Sequence, residues 1–113
     1  MEAHKDISQL LDTGKWSDVT ISVRGNNFAA HRNILSARSS TFANLLEQNH
    51  KENCLVISDL PVGVFEVLLN FIYTGKVPSL EPQMAEDLLT AADKYRLEKL
   101  KSLAEDYLEL TSR

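Results

Sequence analysis

The sequence predicts an α+β fold in which a short, mainly three-stranded sheet is flanked by a cluster of about six helices. The first observation behind this prediction is the segment 62–73, which carries one charge among large apolar side chains. Apolar residues occur nearly all round this helix, so it must be covered on nearly every side. It is too short to span a bilayer, which takes about 20 residues. The second observation is that strand patterns come early in the chain and helical patterns come late.

We expect one domain over residues 1–113, with a core of its own over about 15–110. Before that core, residues 4–12 predict an amphipathic helix with Ile7, Leu10 and Leu11 on one face. A lone helix of this length is marginal in water. Its apolar face must therefore pack on the same chain or on a second copy.

Three strands are predicted. Residues 18–24 alternate between apolar and polar side chains, which is typical of a half-buried strand. Residues 25–27 favour a turn, and a return strand follows at 28–30. A short apolar strand is predicted at 54–58, where we expect Cys54 to be a buried, unreactive side chain.

The other apolar residues recur at helical spacing. Asp59 and Gly75 are suited to cap the start and the end of the central helix. The last helix should face the core with Leu97, Leu100, Leu103, Ala104, Tyr107 and Leu108. Three further helices are predicted. Two lie at 31–37 and 83–95, and one begins at a cap at Ser39 or Ser40 and carries the apolar stripe Phe42, Leu45 and Leu46. The last helix is predicted at 97–110.

Composition argues against several classes of partner. The net charge is −4, whereas binding to nucleic acid needs a basic face. The single cysteine allows no internal disulfide, which is natural in a reducing compartment. The first residues are charged and form no secretory signal, and no membrane anchor is recognisable. We expect an intracellular protein, nuclear or cytoplasmic, that binds neither nucleic acid nor membranes.

The sequence contains no GxSxG motif, no P-loop and no GxGxxG motif. The four glycines are isolated, so no phosphate-binding loop is present. His4, His31 and His50 lie on separate predicted elements, without the spacing of metal ligands. We therefore expect no catalytic residue, no cofactor and no metal.

Polar residues stand where polarity is costly: Asp18 opens a strand, and His31 and Arg32 open a helix. Taken alone, they are explained by solvation of the two charges and a hydrogen bond to the histidine. Residues 28–39, however, fit the pattern F-x-A-H-[KR]-x-[IVL]-L-x-[AS]-x-S. Further motifs in the same register lie at 15–23, 64–65, 71–75 and 87–95. From about residue 15 to 108 the chain resembles a BTB/POZ domain, and it is most similar to the speckle-type (MATH-BTB) branch.

The resemblance implies a non-catalytic protein-interaction module that forms a homodimer. Asp18 and Arg32 match the charged pocket that the family has near the dimer axis. The other residues that match the family's dimer seam are Ile7, Leu10, Leu11, His31, Ile34, Leu35 and Ser36. The alternative is that the stripe of the first helix covers its own subunit. Six residues precede Ile7, so we expect a helical seam without strand exchange.

The resemblance also implies a partner, cullin-3, the scaffold of a ubiquitin ligase, with the chain as adaptor to a substrate-recruiting domain. The matching contact residues are Leu45, Leu46, Asn49, His50, Lys51, Glu52, Ser79, Leu80, Glu81 and Tyr95. His50 occupies the hydrophobic position of the family's hydrophobic-x-Glu motif. Loss of an apolar anchor there would remove about 1–3 kcal/mol of binding. The alternative function is a corepressor-recruiting module of a transcription regulator. For residues 48–53, the alternative is a solvated loop that binds no partner.

Overall fold

The computed structural model describes residues 9–49, 51–78 and 80–111. Within them it has six helices and three strands, which confirms the predicted α+β class. The elements are α1 (residues 9–13), β1 (Val19–Val23), β2 (Asn26–Ala30), α2 (Arg32–Arg38), α3 (Ser40–Gln48), β3 (Cys54–Ile57), α4 (Val62–Thr74), α5 (Pro82–Lys94) and α6 (Glu98–Thr111). No helix in these described ranges is long and apolar enough to cross a membrane.

The sheet has the order β2-β1-β3, with β2 antiparallel and β3 parallel to the central strand. The predicted alternation of β1 holds, because Val19, Ile21 and Val23 are all buried. The hairpin turn consists of Arg24 and Gly25, both with positive φ (50° and 86°). This pattern is typical of a type I′ turn, whose twist matches that of the strands it joins. The turn therefore lies one residue earlier than predicted, and the two asparagines belong to β2.

The expectation of a buried Cys54 is wrong. Side chains of β3 alternate, so that Leu55 and Ile57 are buried while Cys54 and Val56 are exposed. Pairing of Leu55 with Ile21 of β1 sets this register, since partners across a sheet point to the same face. In an apolar run of four residues, the sequence alone does not show which alternate side chains face the core.

Helix α4 forms the centre of the core, as predicted. Seven of its residues are buried, including Phe65 and Tyr73. Gly75 ends the helix with a φ of 74°, and its N–H donates to the carbonyl of Phe71 at 2.7 Å. The start differs from the prediction, because Pro61 occupies the N-cap position and Asp59 does not cap it. Asp59 instead pairs with Lys94 at the end of α5.

Helix α5 packs against both α4 and α6. Pro82 begins α5, where its missing N–H costs nothing. Leu100 and Ala104 of α6 are fully buried, four residues apart on one face. Leu103 was predicted to face the core, but it is 40% exposed because it lies at the edge of that face.

Candidate interaction surfaces

A buried histidine fixes the start of α2. The hydroxyl of Tyr73 accepts a hydrogen bond from the His31 backbone N–H at 2.9 Å and lies 2.8 Å from its Nδ1. His31 Nε2 lies 2.7 Å from the carbonyl of Lys15. A carbonyl only accepts, so Nε2 carries the hydrogen and Nδ1 accepts from the tyrosine. His31 was predicted at the dimer seam, but its side chain is nearly inaccessible and acts as an internal support.

Tyr73 is fully buried beneath this histidine. Burial raises the pKa of Tyr73 to about 12; the bond from the His31 backbone opposes this rise and the charge of Asp18 adds to it. The hydroxyl is therefore protonated at neutral pH and available both to donate and to accept. The network connects α4, the start of α2 and the segment 14–17.

We define the seam surface as the predicted dimer residues that are accessible in the single chain, together with Trp16. Its apolar members are Leu10, Leu11 and Ile34, which are only partly covered by their own chain, and Trp16, which is 78% exposed. Ser36 is also half-buried. Ile7 lies outside the described residues. Leu35 was predicted here but is fully buried in the core of its own chain, so it supports α2 from beneath.

Trp16 was not among the predicted site residues, although it lies in one of the family motifs. It follows Lys15, whose carbonyl bonds to His31, so the backbone just before Trp16 is anchored at the start of α2. Trp16 has a positive φ of 68°, an uncommon conformation for a bulky residue. A lone tryptophan in the polar stretch 12–18 was the available signal.

Asp18 and Arg32, which match the family's charged pocket, are not among the ion pairs of the described residues. The Asp18 carboxylate accepts from the backbone N–H of Arg32 at 2.7 Å, which satisfies one of the free donors at the start of α2. Both residues are at least partly accessible in the single chain. The guanidinium is directed elsewhere, because its donors have backbone carbonyls as partners.

The Arg32 guanidinium joins three segments. Its Nε donates to the carbonyl of Asp18 at 3.4 Å, its Nη1 to that of Leu46 at 3.5 Å, and its Nη2 to that of Glu52. The Leu46 carbonyl lies in the last turn of α3, where a cation is favoured by the helix dipole. Arg32 thus connects the predicted dimer seam to the end of α3 and the loop after it.

We define the loop surface as the accessible residues of the predicted cullin contact. Leu45 and Asn49 are half-buried, while Lys51 and Glu52 are exposed. The Glu52 N–H donates to the carbonyl of Asn49 at 3.1 Å, so the loop closes on itself. Leu80 and Glu81 belong to the same prediction and are accessible, with the Leu80 carbonyl bonded by Tyr107 of α6. His50 and Ser79 lie outside the described residues.

Two residues of this prediction offer almost no surface. Leu46 is 4% exposed and Tyr95 is 2% exposed. The Tyr95 ring lies 4.9 Å from that of Phe42, and its carbonyl accepts from the Ser39 hydroxyl at 2.6 Å. Both residues therefore belong to the core that holds α3 in place and offer little surface for contact.

No group of three or more histidine, cysteine, aspartate or glutamate side chains suited to a metal ion occurs in the described part of the chain. What the geometry does provide is accessible apolar and charged side chains on a braced scaffold. Such an arrangement is suited to binding another protein.

Comparison with known proteins agrees with this chemistry. The family model for the BTB/POZ domain matches residues 7–112. Over 107 residues, the chain is 44% identical to mouse TD and POZ domain-containing protein 4 and 45% identical to mouse TD and POZ domain-containing protein 5. These alignments cover 91% of the chain but only 29% and 32% of the two relatives.

Solved structures agree in fold. The BTB domain of human gigaxonin matches with a TM-score of 0.81 and 24% identity, covering 94% of this chain and 90% of that one. The BTB domain of zebrafish PATZ1 matches with a TM-score of 0.84 and 22% identity, covering 95% and 88%. The chain therefore belongs to the BTB/POZ domain family, a family of non-catalytic protein–protein interaction modules.

Proposed function

We propose that this chain is a homodimeric adaptor module that joins a cullin-3 ubiquitin-ligase scaffold to a substrate-recruiting domain. In this proposal the seam surface binds a second copy and the loop surface binds the scaffold. The observation that carries it is the Arg32 guanidinium, which ties the start of α2 to both the end of α3 and the following loop.

The seam surface supports self-association through its exposed apolar side chains. Helix α1 is short, and Leu10 and Leu11 are incompletely covered by the chain itself. Trp16 adds a large exposed ring beside them in the sequence. Aromatic rings of this size contribute strongly to interfaces, since each buries roughly 150–250 Å². A second copy would cover these groups by presenting the same face.

The loop surface supports scaffold binding through its preorganisation. Two hydrogen bonds to backbone carbonyls fix the loop: the Arg32 guanidinium donates to that of Glu52, and the Thr20 N–H donates to that of Asn53 at 2.8 Å. Preorganisation lowers the entropy lost when a partner binds. Lys51 and Glu52 keep their side chains in solvent, where they can pair with opposite charges.

The names of the relatives add support. Both mouse proteins are named for a TD domain besides POZ, and this chain spans less than a third of each. A recruiting domain joined to this module would fit that arrangement. The corepressor-recruiting alternative requires instead a neighbouring domain that binds DNA.

Calorimetric titration with the N-terminal fragment of cullin-3 tests the scaffold role. Glu52→Ala and Leu45→Asp should each weaken binding about tenfold, because each removes an accessible group worth about 1.4 kcal/mol. Leu45 is chosen because a charge at Leu46 would enter the core. Glu66→Ala, an exposed residue on α4, is the matched control and should bind like wild type. Binding that is unchanged in both loop variants would contradict the assigned surface.

A further inference from the structure

A further surface is lined by residues that belong to neither the seam surface nor the loop surface. A cleft of about 530 Å³ opens where the end of α4 meets the start of α6. Its floor is apolar and consists of buried side chains, including Phe71, Ile72 and Leu97. The volume lies within the range of about 300–1,000 Å³ that is usual for ligand sites.

The side chains that line this cleft are mainly positive, whereas the chain as a whole is negative. Four cationic side chains line it, with one carboxylate, that of Glu98, although the chain as a whole carries −4. The cations are Arg38, Lys76, Arg96 and Lys99. Among the described residues the two ion pairs are Lys94–Asp59 and Lys101–Asp93, so neither uses a cation of the cleft.

One of these cations, Arg38, has a structural role within the fold. Arg38 Nε donates to the carbonyl of Ile72 in the last turn of α4 at 3.1 Å, a favourable position for a cation. The other three have no such role in the described contacts. Lys99 lies in the first turn of α6, where the helix dipole disfavours a positive charge.

Arg96 also departs from what local stability favours. Its φ is 54°, in the left-handed region that costs free energy for a residue with a side chain. This conformation is the C-terminal cap of α5, in which the Arg96 N–H donates to the Asp93 carbonyl at 3.3 Å and the Leu97 N–H to the Ala92 carbonyl at 2.9 Å. The same turn places the arginine at the cleft. Glycine is the usual residue at such a position, so the turn itself does not call for an arginine there.

We propose that this cleft binds an acidic segment of a partner protein, in which carboxylate and apolar side chains alternate. The carboxylates would pair with Lys76, Arg96 and Lys99, and the apolar side chains would rest on the buried floor. Arginine favours this role because its planar group binds a carboxylate in a two-pronged manner. The site shares no residue with the seam or loop surfaces and is independent of the cullin-3 proposal.

Fluorescence anisotropy with a fluorescein-labelled peptide of alternating glutamate and leucine tests the proposal. Wild type should bind it at least tenfold more tightly than a peptide of alternating lysine and leucine. The double variant Arg96→Glu, Lys99→Glu should lose at least tenfold in affinity for the acidic peptide. Raising the salt concentration should weaken wild-type binding, because exposed ion pairs are screened.

Arg24→Glu is the matched control, since Arg24 is also exposed and also has a positive φ, of 50°. It should bind the acidic peptide like wild type. An equal loss in Arg24→Glu and the double variant would overturn the proposal, because attraction would then be diffuse. Equal affinity for the two peptides, or tighter binding of a labelled single-stranded oligonucleotide than of the acidic peptide, would also overturn it.

Discussion

Single residues in this chain connect regions that are distant in the sequence. Arg32 joins three segments through backbone carbonyls, and His31 joins α2 to Tyr73 of α4 and to Lys15. Both residues come from one motif, yet one is nearly inaccessible and the other is partly exposed. Their roles are therefore best separated by measurements on single variants.

Arg32→Lys tests the connection between the two predicted surfaces. Lysine keeps the charge but lacks the fork that reaches several carbonyls at once, so we expect a loss of about 1–2 kcal/mol in the free energy of unfolding. Amide exchange at Glu52 should become faster, because its loop is no longer held. Arg24→Lys, in the exposed hairpin turn, is the control and should change neither quantity. Normal protection of Glu52 in Arg32→Lys would contradict the role given to the guanidinium.

Tyr73→Phe tests the buried hydroxyl. Its pKa is raised from 10.0 to about 12, so the native state holds this proton more tightly than the unfolded state. The free energy of unfolding should therefore fall between pH 10 and 12, by about 2–3 kcal/mol in wild type from this group. The variant should lack that part of the fall.

At pH 7 the same variant should be less stable by about 1–3 kcal/mol, because the His31 N–H and Nδ1 lose their partner. Urea unfolding at pH 7, 9 and 11 measures both effects, with about half of the alkaline fall, roughly 1.4 kcal/mol, reached at pH 11. Burial also raises the pKa of Tyr95, which accounts for a remaining alkaline slope in the variant. If wild type and variant have parallel pH profiles, the hydroxyl is not the titrating group.

At the scale of elements, local pattern predicted most of the structure. Alternation in β1, the stripe of α3 and the all-round apolar surface of α4 were sufficient to identify those elements. The details that escaped prediction depend on contacts between elements. Cys54 is exposed because pairing with β1 decides the parity of β3, and Asp59 pairs with Lys94 of α5 instead of capping α4. Such contacts are not encoded in local spacing.

Gly75, which caps α4, and Gly63, inside that helix, provide a matched test at this scale. Gly75→Ala should destabilise the fold by about 1–2 kcal/mol, because a φ of 74° is unfavourable with a side chain. Gly63→Ala, inside the same helix, should be neutral or stabilising by up to about 1 kcal/mol. Its new methyl group would meet only the flexible end of Met84, at 3.3 Å. Thermal unfolding measures both, and equal effects would contradict the left-handed cap.

At the scale of the whole molecule, the candidate surfaces were only partly predictable. The residue types and their order indicated the family and hence the region of each surface. Which side chains are accessible could not be predicted, because Leu35, Leu46 and Tyr95 have the same chemistry whether they face a partner or their own core. Trp16 is the opposite case, a large apolar side chain that is 78% exposed next to the backbone bond between Lys15 and His31.

The central claim is that this module works by binding a second copy of itself through the seam surface. Multi-angle light scattering over a range of protein concentrations tests it most directly. The account predicts a particle of twice the 12.7 kDa chain mass for wild type. It also predicts a shift toward single chains when Trp16 is replaced by alanine. A wild-type particle of 12.7 kDa at every concentration would contradict the claim.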